Sequence, residues 1–214
     1  MSIAKLCQFA ENQYVGIQCG FMDQFACKHG VARHALCQDL QSLMWQPLPI
    51  PSGTFLVITD SGIRRDLSSS AYNLRRKECE EAVKGLQEHI HGSKSLREIS
   101  LEGFNQFATG LADIPRKRAR HVIEEIERVK QASLNLVRAD ASDFGRLMIA
   151  GHASLRDLYE VSLPQLDDLV EIAFNQAGCF APALAVLVSR AARLTWVKNL
   201  KRKNSLPHSR KNTR

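Results

Sequence analysis

The period of the apolar residues changes partway along this chain, and that change limits the folds open to it. Val31 to Asp39, Leu43 to Leu48 and Thr54 to Thr59 read as strands, the last apolar enough to be buried. Pro47, Pro49 and Pro51 mark the end of the first ribbon. After Ser68 to Ser70 the spacing becomes helical, with Cys79, Ala82, Val83, Leu86 and Ile90 on one face. Gly92 to Pro115 reads as a linker with short helical pieces. Three more amphipathic patterns follow, built on Val122, Ile123, Ile126, Val129 and Val137, then on Phe144, Leu147, Met148 and Leu155. The last begins at Ser162 and Pro164 and buries Leu166, Leu169, Val170, Ala173 and Phe174. Strands first and helices later predict an α+β fold.

The start of the chain carries the chemistry. Ile3, Leu6, Cys7, Ala10 and Tyr14 give a helical face over Ser2 to about Gln13, and that face needs partners. Gly16 and Gly20 break the helix. Glu11 and Asp23 then stand twelve positions apart, with Asp23 among Phe21, Met22 and Phe25, in a turn or at the start of a short helix. A carboxylate in apolar company either caps or pairs with something, or does chemistry, because burying it alone is costly. One such group can accept a hydroxyl proton while a second holds a magnesium ion on nucleotide phosphates. A capping Asp and a surface Glu fit the residues equally well.

Charge bounds the partners. The net charge is +7, but Arg190 to Arg214 holds nine Lys/Arg and no Asp/Glu, leaving the preceding residues at −2. A nucleic-acid-binding reading therefore rests on the tail alone, and none is expected. The six cysteines have no Cys-x-x-Cys spacing and read as free thiols of a cytoplasmic protein. The longest apolar stretch, Phe180 to Val188, is too short to span a bilayer, so no membrane partner is expected.

Three further clusters have a structural reading beside a functional one. Asp66 to Tyr72 places three serines before a helix, which could cradle a phosphate on backbone N–H groups. The glycines that would admit a phosphate are absent, so a serine-rich helix start is preferred. Arg75, Arg76 and Lys77 lie in the first turns of that helix, where the dipole disfavours cations, which points to nearby acids or an anionic partner, with a solvated charged face preferred for Lys77. His152, Arg156, Asp157, Tyr159 and Glu160 read as a local ion-pair network closing a helix end. His29, His34, His89, His91 and His121 share no ligand spacing, and a metal site built on them is not expected.

One run carries a family resemblance. Leu6-Cys7-Gln8, Ala10-Glu11-Asn12, Val15-Gly16 and Cys19-Gly20-Phe21-Met22-Asp23-Gln24-Phe25 closely resemble the galactokinases of the GHMP kinase superfamily. The family form is close to A-E-N-x-F-V-G-x-x-C-G-I-M-D-Q-F. The likeness continues through His34-Ala35-Leu36, Ser70-Ala71-Tyr72-Asn73, Arg120-His121-Val122 and Gly151-His152-Ala153-Ser154-Leu155-Arg156-Asp157, covering roughly Ile3 to Phe180. It implies ATP-dependent phosphorylation of galactose at C1. Asp23 would be the base, Gly20 and Tyr72 would contact the sugar, and Glu11 would bind Mg2+ beside ATP. The implied fold is a partial GHMP kinase fold, with a remnant of the N-terminal domain over residues 1–66 and an incomplete C-terminal domain over 67–180. A monomer is expected. A related reading is a non-catalytic sensor of galactose and ATP.

Three family motifs have no counterpart here. The 214 residues hold nothing close to G-R-V-N-L-I-G-E-H-T-D-Y, which supplies a charge-stabilising Arg, nor the phosphate loop close to G-L-S-S-S-A ahead of the first helix. Ser68 to Ala71 copies the loop's letters but belongs to the later block with Tyr72. After Phe180 the glycine-rich G-A-R-x-T-G-G-G-F-G-G-C pattern is replaced by Ala181 to Trp196. Codons such as GCG CCC GCC TTG GCG GTG CTG GTT TCG encode Ala181 to Ser189. With one G restored they read Gly-Ala-Arg-Leu-Gly-Gly-Ala-Gly-Phe. A frameshifted, disordered tail over 181–214 is therefore expected, as is a truncated chain that is inactive by itself. Sequencing the coding DNA checks the frame.

Overall fold

The structure is a computed structural model and describes residues 3–15, 20, 22–63, 69–176, 179–186 and 191–198. It has the expected α+β composition. Two helices, α1 (Ile3–Ala10) and α2 (Met22–His29), precede an antiparallel hairpin of β1 (His34–Gln38) and β2 (Trp45–Pro49). Strand β3 (Thr54–Asp60) leads into five helices: α3 (Ser69–Gln87), α4 (Leu101–Phe107), α5 (Asp113–Val137), α6 (Ala141–Asp157) and α7 (Pro164–Phe174). Strands β4 (Cys179–Val186) and β5 (Ala191–Lys198) complete an antiparallel sheet in the order β3-β5-β4. None of the described helices is long and apolar enough to cross a membrane.

The main core lies between α3, α4 and α5. Ala82 and Leu86 meet Phe104, Ala119 and Ile123, with Cys79, Val83, Ile90 and Val122 packed around them. Gly85 lets α3 come close to Leu111: a Cβ there would lie 2.5 Å from Leu111 Cδ2 and would make that side chain shift. The segment read as a linker belongs to this core: Leu96, Ile99, Phe104, Ala108 and Leu111 are all buried. Its helical pieces are too short to show a period, so burial there is invisible to a periodic reading. Ser100 caps α4 by accepting from Gly103 N at 3.0 Å, and Asp140 caps α6 by accepting from Asp143 N at 3.0 Å.

A smaller core seats the hairpin on α5 and α6 through Leu48, Leu136, Phe144 and Met148. Pro47 and Pro49 lie inside β2 instead of ending it. Ile50 N donates to Arg33 O at 3.0 Å, so the even-numbered N–H groups face β1. The two prolines therefore fall where their missing donors would point away from the ladder. Leu166 closes a third cluster with Leu155, Leu163 and Leu169, whereas Phe174, expected in that buried face, is exposed at the end of α7.

Two expectations are corrected. Strand β3 is not buried: Phe55, Leu56, Val57 and Ile58 are all exposed, because β3 is an edge strand and the helices that pack on the sheet, α6 and α7, meet it at β4 and β5. The tail is not wholly without structure, since 179–186 and 191–198 form strands that join β3 across the expected boundaries at 66/67 and 180/181. The apolar content of Ala181–Val186 and Leu194–Val197 suits such pairing. Residues 187–190 and 199–214 lie outside the described residues.

Candidate active site

The site begins where α1 ends. Glu11 opens a five-residue π-type turn, Glu11–Val15, and Asp23 sits in the first turn of α2, as expected of a helix start. A helix N-terminus favours a carboxylate through its free N–H groups and dipole, so the Asp23 side chain is well placed there. Gln24 Nε2 donates to Glu11 Oε1 at 2.7 Å, across thirteen positions of sequence. Together with the packing of α1 on α2, this bond brings both carboxylate-bearing turns to one end of a helical hairpin. The sequence reading gives Gln24 no role. Its only sequence signal is its place in the Met22-Asp23-Gln24 block.

Gly20 is exposed, and a Cβ there would meet nothing within 4 Å. The neighbourhood of Gly20 is therefore open space. Tyr72 lies in the first turn of α3, with its side chain outside what the structure describes. Ser69 and Ser70 are the first residues of α3, while Asp66 to Ser68 fall outside the described residues. The structure thus ties the turn that carries Asp23 to Glu11 through Gln24, and the side chain of Tyr72 lies outside what it describes.

Half-buried Asp23 also lines an open cleft of about 710 Å³ between α2, the β1–β2 hairpin and the α5–α6 pair. Its floor is apolar, with Leu36, Leu48, Phe144 and Met148. On the far wall Glu125 accepts from Arg128, and Glu124 lies 3.8 Å from Arg128. That arginine is committed to acids of its own helix.

The remaining charged clusters are structural. Arg118 of α5 is 1% exposed. Its guanidinium donates to Glu78 at 2.7 Å, to Glu160 at 2.8 Å and to the Leu158 carbonyl. Burial works against its charge, yet the hydrogen bonds to Glu160 and Glu78 outweigh this and raise its pKa. Arg75 donates to Glu78 and to the carbonyls of Tyr159, at 2.7 Å, and Glu160, at 3.1 Å. Two arginines thus tie α3 and α5 to the turn after α6, and the expected acids opposite Arg75 are found. Arg76 pairs with Glu80 at 3.0 Å, and Lys77 is exposed. Arg156 pairs with its neighbour Asp157 at 2.7 Å, and His152 Nε2 lies 3.1 Å from Asp167 Oδ1. His121, beside Ser154 Oγ at 2.8 Å, is pushed down to about 4, first by burial and then by the charges of Arg128 and Arg118.

Among the described residues no group of three or more His, Cys, Asp or Glu could hold a metal ion. A lone carboxylate steadied by an amide, as at Glu11, still suits magnesium, which keeps water and takes phosphate oxygens with one or two carboxylates.

Known proteins supply the context. No protein-family model matches the chain. It is 44% identical over 182 residues to a galactokinase of Roseiflexus sp. (strain RS-1), covering 85% of this chain and 46% of that protein. Human galactokinase is 43% identical over 178 residues, covering 83% and 44%. The Thermotoga neapolitana galactokinase is 38% identical over 179 residues, covering 83% and 49%. Among solved structures, Lactococcus lactis galactokinase complexed with galactose matches with a TM-score of 0.85 and 33% identity, over 92% of this chain and 51% of that one. The chain spans about half the length of the curated relatives it matches. By sequence and by fold it belongs to the galactokinase family of GHMP kinases.

Proposed function

We propose that this chain supplies the deprotonating half of a galactokinase site, in which Asp23 takes the proton from the C1 hydroxyl of galactose. The bond from Gln24 to Glu11 carries the reading, because it holds the turn bearing the base beside a second carboxylate. As the proton passes to Asp23, the C1 oxygen forms a bond to the γ-phosphorus of ATP, and the bond from that phosphorus to the bridging oxygen breaks, releasing ADP. Glu11 would hold magnesium, which when bound neutralises charge on the phosphate oxygens. Gly20 leaves space for the sugar, and Tyr72 offers a hydroxyl to it. What these residues contribute is position: a hydroxyl held in line with the phosphate and a base in reach of its proton.

The 214 residues alone are expected to show no turnover, because they carry neither the phosphate-loop motif nor the motif with the charge-stabilising Arg. A chimera tests the site residues apart from that deficit. Residues 3–176 would replace the matching segment of the Roseiflexus galactokinase, with galactose- and ATP-dependent release of ADP as the readout. The chimera should turn over, and Asp23→Asn should lower kcat at least 100-fold with little change in KM, in line with the loss of a general base. Equal kcat in the two proteins would remove Asp23 from the chemistry.

A further inference from the structure

The arginine clamp grips α3 at one end, the end that carries Tyr72. The apolar contacts of α3 begin only at Cys79 and Ala82 and run on through Val83 and Leu86. Ahead of them Asn73, Leu74, Arg76 and Lys77 are exposed, and from 73 to 78 only Arg75 and Glu78 turn inward. Among the described side chains, then, the front of this helix is held by hydrogen-bonded charge and not by packing. Arg75 stands one turn after Tyr72, about 4.5 Å along the helix axis.

The hold has a fixed geometry. Arg75 Nε donates to Tyr159 O at 2.7 Å, Nη2 to Glu160 O at 3.1 Å and Nη1 to Glu78 Oε2 at 2.9 Å. A planar guanidinium that meets three acceptors leaves the helix end little room to slide or rotate. Glu78 is fixed from behind by Arg118, at 2.7 Å. The turn that accepts from Arg75 is strained: Glu160 has φ +56°, a region that favours glycine. Its carboxylate meets Arg118 at 2.8 Å and Lys117 at 3.3 Å while its carbonyl meets Arg75, so partners on two helices keep it there. Strain of this kind persists where the surroundings over-determine it, and it gathers at functional sites. Stability alone does not call for buried charge, since packed apolar groups often serve as well or better. What charge supplies at this position is orientation.

We propose that Arg75 is a positioning residue for galactose: by fastening the first turns of α3 to the turn after α6, it sets where Tyr72 stands against the sugar. Arg118 backs it by holding Glu78. The proposal rests on the sugar contact given to Tyr72 under the proposed function and is independent of the roles given to Glu11 and Asp23.

Two measurements test it. In the full chain, Arg75→Met should speed amide exchange over residues 73–78 at least tenfold and leave residues 119–123 of α5 unchanged. In the Roseiflexus chimera, calorimetry reads galactose affinity whether or not the protein turns over. Arg75→Met should raise the Kd for galactose about tenfold, as Tyr72→Phe should by removing one hydrogen bond. The double variant should be little weaker than either single one, because both remove the same contact. Phe104→Ala, which loosens the core further along α3, should lower the melting temperature and leave the Kd for galactose unchanged below it. Unchanged exchange over 73–78 in Arg75→Met would overturn the proposal. So would a Kd raised as much by Phe104→Ala, which would reduce Arg75 to a stabilising contact. If Tyr72→Phe weakens galactose binding and Arg75→Met does not, or if the two losses multiply, the sugar contact stands and the proposal falls. If Tyr72→Phe leaves the Kd unchanged, the contact and the proposal fall together.

Discussion

The body built from α3 to α7 and the N-terminal α1–α2 arm carry the same sort of amphipathic pattern with opposite outcomes. In the body the pattern closes on itself, leaving Leu86 and Phe104 at 0% exposure. In the arm the pattern points outward, with Phe9 at 50% and Tyr14 at 87%. Periodicity shows which residues share a face. Whether that face is covered depends on what stands opposite, and among the described residues the face of α1 carrying Ile3 and Leu6 is left exposed.

The comparison can be broken by mutation, with the largest effects in the body. Phe104→Ala should cost about 3–5 kcal/mol, because the cavity it leaves is walled by α3 and α5 and cannot collapse. Urea titration of the full chain measures this, and a loss below ~1 kcal/mol would mean the body is loosely packed. Arg118→Met should cost about 3 kcal/mol, somewhat less, since Arg75 still faces Glu78 and Lys117 still faces Glu160 at 3.3 Å. The same titration reads it, and an unchanged midpoint would show that the arginine clamp holds nothing.

Acid should weaken the body as well. His121 sits at about 4 in the folded chain against an ordinary 6.5, so below pH 6.5 the unfolded chain takes up a proton that the folded one refuses. Stability is therefore full above pH 6.5 and falls as the pH drops towards 4, by about 2 kcal/mol at pH 5. Glu160 acts in the same direction. Arg118 and then Lys117 hold its carboxyl below the usual range, so its contribution is present above the ordinary glutamate pKa and is lost on acidification. His121→Gln should flatten the slope of melting temperature between pH 6.5 and 4, and an unaltered slope would place the titration elsewhere. The smallest effect belongs to the arm: Leu6→Asp should shift the stability of the isolated chain by less than about 0.5 kcal/mol.

Much of the architecture was legible in the residues. The apolar faces of α3 and α5 to α7 follow a long period, and the start of α2 at Met22 follows the glycines before it. The family blocks singled out the candidate site residues because they are ordered local motifs. What escaped depends on distant partners. Glu11 meets Gln24 across a loop, and Arg118 finds its acids forty positions before and forty-two after it, so local spacing shows neither. Thr54 to Thr59 reads as buried because its composition is that of a core strand, yet the cover it needs is not among the described residues.

Amide hydrogen exchange of the full chain bears most directly on the contrast between arm and body. The contrast predicts that amides of α1 and α2 exchange far faster than those of α5 in the isolated chain. Protection of α1 equal to that of α5 in the isolated chain would contradict it.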